Sequence, residues 1–385
     1  MTQNKIRTPF NFVEMNTKIL FFYSISIFTI ILFPSTVFGQ KLKSGFNSTE
    51  YRDMLLIAEF TNNLDSTKLS GLTHPADYKK IYRSEPMGLD HLWELWMRDD
   101  GVAVISIRGT TPKTESWLAN YYVAMIPAEG SLVLSRDNTI NYKVAENPKA
   151  AVHTGWMIGM ASLSIDILPR IDSLYQTGTR HFMITGHSQG GAISFLLNAH
   201  LQHLQKQELL PSGIRFKTYS SAAPKPGNLF FAYDYEMMNH NGWAFNVVNT
   251  ADWVPETPLT VQTIYNFNEI NPFKNARKGI RSQKFPRRLY LMHAYKRLYK
   301  PAERTRKNYE KYLGRAISKQ IKNFMPEFVP PEYYETINYS RAGHTIVLKP
   351  TGEYDKIFPD DQENIYAHHL PKNYLFLIDE YYPKK

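Results

Sequence analysis

A chain of 385 residues is long enough for one large domain or two ordinary ones, and 43% hydrophobic with 14% aromatic residues suits a well-buried core. The sequence has no cysteine, which excludes disulfides, thiol catalysis, zinc–thiolate sites and a lipidated N-terminal cysteine. The net charge of +10 is uneven: residues 274–322 hold 17 Lys and Arg against Glu303 and Glu310, a net +15 that leaves −5 for the remainder.

Residues 1–39 read as an export signal. Lys18 precedes the apolar run 19–33, small residues follow, and cleavage would leave Gln40 first. That implies a secreted or periplasmic protein; an uncleaved membrane anchor is the alternative, and Met15 offers a second start. Residues 48–63 read as an amphipathic helix. Residues 91–97 and 102–107 alternate like strands, with Asp99, Asp100 and Gly101 as the hairpin turn between them. Residues 116–126 read as an aromatic helix, and 158–175 as a longer one kinked at Pro169. Short apolar runs at 182–185, 216–220 and 244–248 predict buried strands, with a helix at 228–238. Residues 285–325 predict two basic helices broken near Lys300 and Pro301, followed by a strand at 345–348 and a last helix at 370–382. Alternating strands and helices predict a mostly parallel central sheet with helices on both faces, in one domain (40–385) with a basic helical insertion at about 274–325.

The strongest motif is residues 186–191 (GHSQGG), directly after an apolar strand and before a helix. A serine hydroxyl is a poor nucleophile unless something presents it and removes its proton. A sharp strand-to-helix turn presents Ser188, small flanking residues permit that corner, and the new helix aims free N–H groups at the oxygen. In this arrangement the acid and the base follow the serine. Asp252 lies just past the strand 245–249, where catalytic groups gather in open α/β sheets. Of the later histidines, His200 and His203 sit on the helix leaving the elbow, His293 lies in the basic helix and His240 precedes the acid. His344, His368 and His369 remain as bases.

From about residue 100 onward the chain resembles the class 3, fungal-type lipases of the α/β-hydrolase fold. The resemblance rests on an ordered run: 104–110 (VISIRGT), Ser116 to Leu118, 152–156 (VHTGW), the elbow, 223–228 (APKPGN) and 247–255 (VVNTADWVP). It implies ester hydrolysis through an acyl-enzyme, with Ser188 as nucleophile, Asp252 as acid and His369, five residues before Tyr374, as base; His368 is the runner-up. The oxyanion would meet the backbone N–H groups of Thr110 and Gln189, with the Thr110 hydroxyl as a third donor. No cofactor or metal is called for. The acids Glu353, Asp355, Asp360, Asp361 and Glu363 match no calcium-loop spacing and read as a solvated loop.

Two departures stand out: Gln189 replaces an apolar residue after the serine, and Asn120 stands where the family usually has aspartate. Residues 117–127 read equally as a lid over the pocket or as a packed helix. Arg108 reads as a loop brace, Asn228 as a helix cap, and His153 and His187 as structural. The expected partner is a lipid or small ester substrate, acylglycerols first, with phospholipid or feruloyl-type esters as alternatives; an inactive hydrolase-fold binding module is the non-enzymatic one. The basic segment 274–322 reads as a surface for anionic membrane or as a solvated helical face, and nucleic acid is not expected for an exported chain.

Overall fold

The computed structural model describes residues 41–63 and 72–383; the expected export signal lies outside them. In chain order the elements are α1 (Ser48–Asn62), β1 (Tyr78–Arg83), β2 (Trp93–Arg98), β3 (Ala103–Ile107), α2 (Thr114–Tyr121), β4 (Met125–Pro127), β5 (Glu129–Val133), β6 (Thr139–Lys143), β7 (Ala151–His153) and α3 (Thr154–Gln176). Then come β8 (His181–His187), α4 (Gln189–Lys206), β9 (Arg215–Ser221), β10 (Gly227–Asn228), α5 (Leu229–Met238) and β11 (Ala244–Asn249). The last third holds α6 (Ala276–Arg281), α7 (Arg287–Glu310), a π-helical turn at Lys311–Ala316, α8 (Ile317–Ile321), β12 (Tyr339–Ser340), β13 (His344–Leu348), α9 (Gly352–Ile357) and α10 (Pro371–Tyr381).

Seven strands form the main sheet in the order β1-β2-β3-β8-β9-β11-β13. The last five are mutually parallel, and the β1-β2-β3 edge is antiparallel. The interior strands are buried on both faces, as a sheet covered by crossover helices requires. Alternation along β3 divides the side chains. Ala103, Ile105 and Ile107 enter the core shared with α3 and α4, while Val102 and Val104 enter the one shared with α1 and α10. Register brings the carboxyl ends of these strands together: Ile107 lies opposite Gly186, His187 opposite Ser221, and Ser221 opposite Val247. The loops that leave those ends carry Thr110, Ser188 and Asp252.

Two expected helices end differently. The stretch 116–126 is helical only to Tyr121. Pro127 disfavours helical geometry at the residue before it, and Met125 to Pro127 instead pair with β7 in a second, four-stranded sheet of order β12-β10-β7-β4. Tyr122, Val123, Ala124, Met125 and Ile126 are buried, so this half of the lid candidate is core. The basic stretch does not break at Pro301. α7 runs through it, because the carbonyl that loses its donor belongs to exposed Arg297 and faces water. Regular α-geometry is interrupted ten residues later, at the π turn.

His91, His153, His187 and His200 are buried, and burial pushes their pKa values down to about 4, 3, 3 and 4. Unfolding lets each ring return to its ordinary value near 6.5. The unfolded chain therefore binds protons below about pH 6.5 that the folded chain refuses until about pH 3–4. This stabilisation is complete above pH 7 and is lost as pH falls through that window, at about 2 kcal/mol per ring by pH 5. Melting temperature is expected to fall steeply between pH 7 and pH 5 in a differential scanning calorimetry series; a flat profile would contradict the burial of neutral rings.

Candidate active site

β8 delivers the chain to Ser188, and α4 begins at the next residue. Ser188 has φ 59° and ψ −127°, a conformation that costs a non-glycine residue of order 1–3 kcal/mol. The neighbours hold it there. The Ser188 N–H donates to the Ser221 carbonyl at 2.9 Å. A Cβ on Gly186 would stand 2.3 Å from the Gly190 carbonyl carbon, and one on Gly190 would stand 2.2 Å from the Ile107 carbonyl oxygen. Glycine at both positions is what lets the corner pack onto the end of β3. The Ser188 side chain is partly exposed, and its hydroxyl has no hydrogen-bond partner among the described residues.

The three histidines left open by the sequence have different surroundings. His369 Nδ1 lies 2.7 Å from Asp252 Oδ2, with the carboxylate fully buried. Oδ2 of the same carboxylate also accepts from the Tyr374 hydroxyl at 2.7 Å, and Oδ1 accepts from the Val254 N–H at 3.0 Å. Burial and the adjacent Asp252 hold the Tyr374 phenol well above its ordinary pKa, so it stays protonated and donates. Because a carboxylate only accepts, Nδ1 carries the proton, which leaves Nε2 of the neutral ring with a lone pair. His368 turns elsewhere, between the Tyr354 hydroxyl and Asp360, both at 2.9 Å. His344 is exposed on the edge strand β13.

His187, read as structural from sequence, does more than fill space. Its Nε2 donates to the His369 backbone carbonyl at 2.7 Å, and its ring lies 4.8 Å from the His369 ring, centroid to centroid. Burial keeps it neutral, so Nδ1 accepts from the Ser221 hydroxyl at 3.3 Å, which in turn pairs with the Tyr51 hydroxyl at 2.8 Å. The residue before Ser188 thus clamps the backbone of the residue paired with Asp252, across 182 positions of sequence.

On the other side of the elbow, Gly109 N–H is taken by Asn62 Oδ1 at 2.7 Å and Thr111 N–H by Ser116 Oγ at 3.1 Å. The Thr110 N–H between them has no partner among the described residues. Gln189 is the first residue of α4, a position whose N–H has no acceptor within the helix. Its side chain is buried and turned aside, donating to the Ser116 carbonyl and to Asn120 Oδ1 at 3.1 and 2.8 Å. The polar side chain therefore ties α4 to α2. Asn120 Oδ1 also accepts from Trp156 Nε1 at 3.0 Å. Two donors on Oδ1 leave the Asn120 NH₂ to face Thr110 Oγ1 at 2.9 Å. The Thr110 oxygen thus accepts from a neutral amide, and its own proton is free to be donated outward. The loop is braced by Asp90, which receives Arg108 at 2.9 Å, Lys113 at 2.8 Å and the Thr111 hydroxyl at 2.7 Å. Arg108 is a brace, as its sequence context suggests, and Asn228 caps α5 by accepting from Phe231 N–H. His153 caps α3 in the same way and stacks on Trp156 at 3.6 Å.

A serine on a strand–helix corner, a buried His–Asp pair beside it and open N–H groups at the end of a parallel sheet define an α/β-hydrolase. Residues 104–262 match the model of the lipase (class 3) family. Over 111 residues the chain is 29% identical to the secreted mono- and diacylglycerol lipase 1 of Fusarium solani; the match spans 29% of this chain and 30% of that relative's length. Among solved structures it is similar to a lipase from Rhizopus microsporus var. chinensis (TM-score 0.41, 19% identity, 56% of this chain and 71% of the other). It is also similar to the Lip2 lipase of Yarrowia lipolytica (TM-score 0.41, 16% identity, 55% and 74%).

Proposed function

We propose that the protein is a serine ester hydrolase, a lipase that cleaves acylglycerol esters through an acyl-enzyme. The observation that carries this reading is the buried His369–Asp252 pair, clamped by His187, the residue next to Ser188. His369 Nε2 takes the Ser188 proton as Oγ attacks the ester carbonyl, and Asp252 stabilises the imidazolium that forms. The N–H groups of Thr110 and Gln189, and the Thr110 hydroxyl, receive the developing oxyanion; one such donor is worth roughly 3–4 kcal/mol in the transition state. The imidazolium then protonates the departing glycerol oxygen. Water, deprotonated by the same ring, releases the fatty acid and restores the serine.

Acylglycerols are the substrate class favoured by the family and by the named substrates of the Fusarium relative. That relative's being secreted agrees with the export signal read at residues 1–39. The test is a panel of mono-, di- and triacylglycerols, phosphatidylcholine and a feruloyl ester. Fastest release is expected from an acylglycerol. Faster release from phospholipid or feruloyl ester would reassign the substrate, and no turnover on any of them would favour an inactive binding module.

A further inference from the structure

The arm of residues 270–310 is built unlike the rest of the molecule. α7 is 24 residues long and buries Arg306 alone. Of the 17 Lys and Arg at 274–322, only Lys274, Arg306 and Arg315 have a carboxylate partner among the described residues, which leaves 14 without one. The two acids of the segment, Glu303 and Glu310, are consumed by Arg306 and Arg315. A helical face held in water by charge alone would carry few large apolar groups. The arm exposes Ile270 (98%) and Phe285 (74%) ahead of α7, and Leu289 (57%), Tyr290 (74%) and Leu298 (80%) on it.

Charge and apolar surface also coincide in angle. At 3.6 residues per turn, Leu289, Tyr290, His293, Arg297, Lys300 and Arg304 fall within a sector of about 100°, and all six are exposed. The root of the arm packs on the segment that follows α2. Leu313 O accepts from Ala124 N–H at 3.1 Å, and the Tyr122 and Tyr333 hydroxyls meet at 2.8 Å. α2 itself carries Asn120, the partner of Thr110.

We propose that this face of α7, with Phe285 beside its start, docks on an anionic lipid surface. Cations meet the headgroup phosphates while Phe285, Leu289 and Tyr290 enter the headgroup–acyl boundary. A polyanion in solution would satisfy the charges and leave those apolar groups in water, so the combination selects lipid. The inference is independent of which ester the enzyme cleaves, because docking does not need turnover.

The experiment is vesicle co-sedimentation of the mature chain carrying Ser188→Ala, so that lipid is not consumed. Vesicles are phosphatidylcholine alone or with about one third phosphatidylglycerol, at low and high salt. Binding to the anionic vesicles is expected to exceed that to neutral ones by at least about tenfold and to weaken with salt; each cation in contact is worth about fivefold. The triple variant Arg297→Glu, Lys300→Glu, Arg304→Glu should lose at least about tenfold. Leu289→Ser with Tyr290→Ser should lose vesicle binding while retaining heparin binding. Both surface variants, made with Ser188 intact, should hydrolyse a soluble p-nitrophenyl ester at the wild-type rate, which shows that they fold. Equal binding to neutral and anionic vesicles would overturn the proposal. So would undiminished vesicle binding by the Leu289–Tyr290 variant, which would mark a general polyanion surface instead.

Discussion

Ser188→Ala is expected to lower kcat on a soluble p-nitrophenyl ester by about 10⁴-fold or more while leaving KM within a few-fold of wild type. The change removes one oxygen and keeps the Cβ, so the cost of holding φ near 59° is the same in both proteins. The Ser221 carbonyl still receives the residue-188 N–H, and Gly186 and Gly190 still fit the corner, so fold and substrate contacts persist. What is lost is the proposed nucleophile, and no thiol can replace it, because the sequence has no cysteine. Residual rate should come only from the Thr110 and Gln189 N–H groups polarising a bound ester toward water. Stopped-time assays with both proteins at equal concentration read this directly, and a variant within tenfold of wild type would remove Ser188 from the chemistry.

Asp252→Asn is expected to cost nearly as much, about 10⁴-fold in kcat, although it changes one atom. The carboxylate receives His369 and Tyr374 on Oδ2 and Val254 N–H on Oδ1. An amide cannot serve all three. With its NH₂ toward Val254, two donors face each other. With its NH₂ toward His369, the ring must offer Nδ1 as acceptor, and the proton moves to Nε2. A ring protonated at Nε2 cannot accept the Ser188 proton. The loss should appear in kcat at neutral pH and should ease at high pH, where hydroxide deprotonates the serine without the ring. An Asp252→Asn enzyme with wild-type kcat would show that Asp252 only supports the fold.

Local features were the legible ones. The elbow could be read because its chemistry is confined to six consecutive residues, three of them glycines with no room for a Cβ. The strands 182–185, 216–220 and 244–248 were legible as short runs rich in apolar residues, although Lys217 and Asn246 interrupt two of them, since strands covered on both faces need no regular polar alternation. What escaped was mostly long range. His187 reaches the His369 carbonyl, Asn62 fills Gly109, and Asp90 gathers Arg108, Thr111 and Lys113, and no local pattern announces such pairings. Asn120 was visible as a departure, but its meaning lies in Gln189 and Trp156, which set the direction of its amide. The helix read at 116–126 failed because tertiary pairing with β7 outweighed local helical preference after Tyr121. The break read at Pro301 failed because an exposed turn can leave a carbonyl to water.

The account rests on the Ser188 oxygen being activated by His369, and labelling with a fluorophosphonate measures that most directly. Intact protein should gain one adduct, mapped by peptide mass spectrometry to Ser188. The rate of labelling should collapse in His369→Ala and persist in His368→Ala. An adduct on another residue, or Ser188 labelled at the wild-type rate without His369, would contradict it.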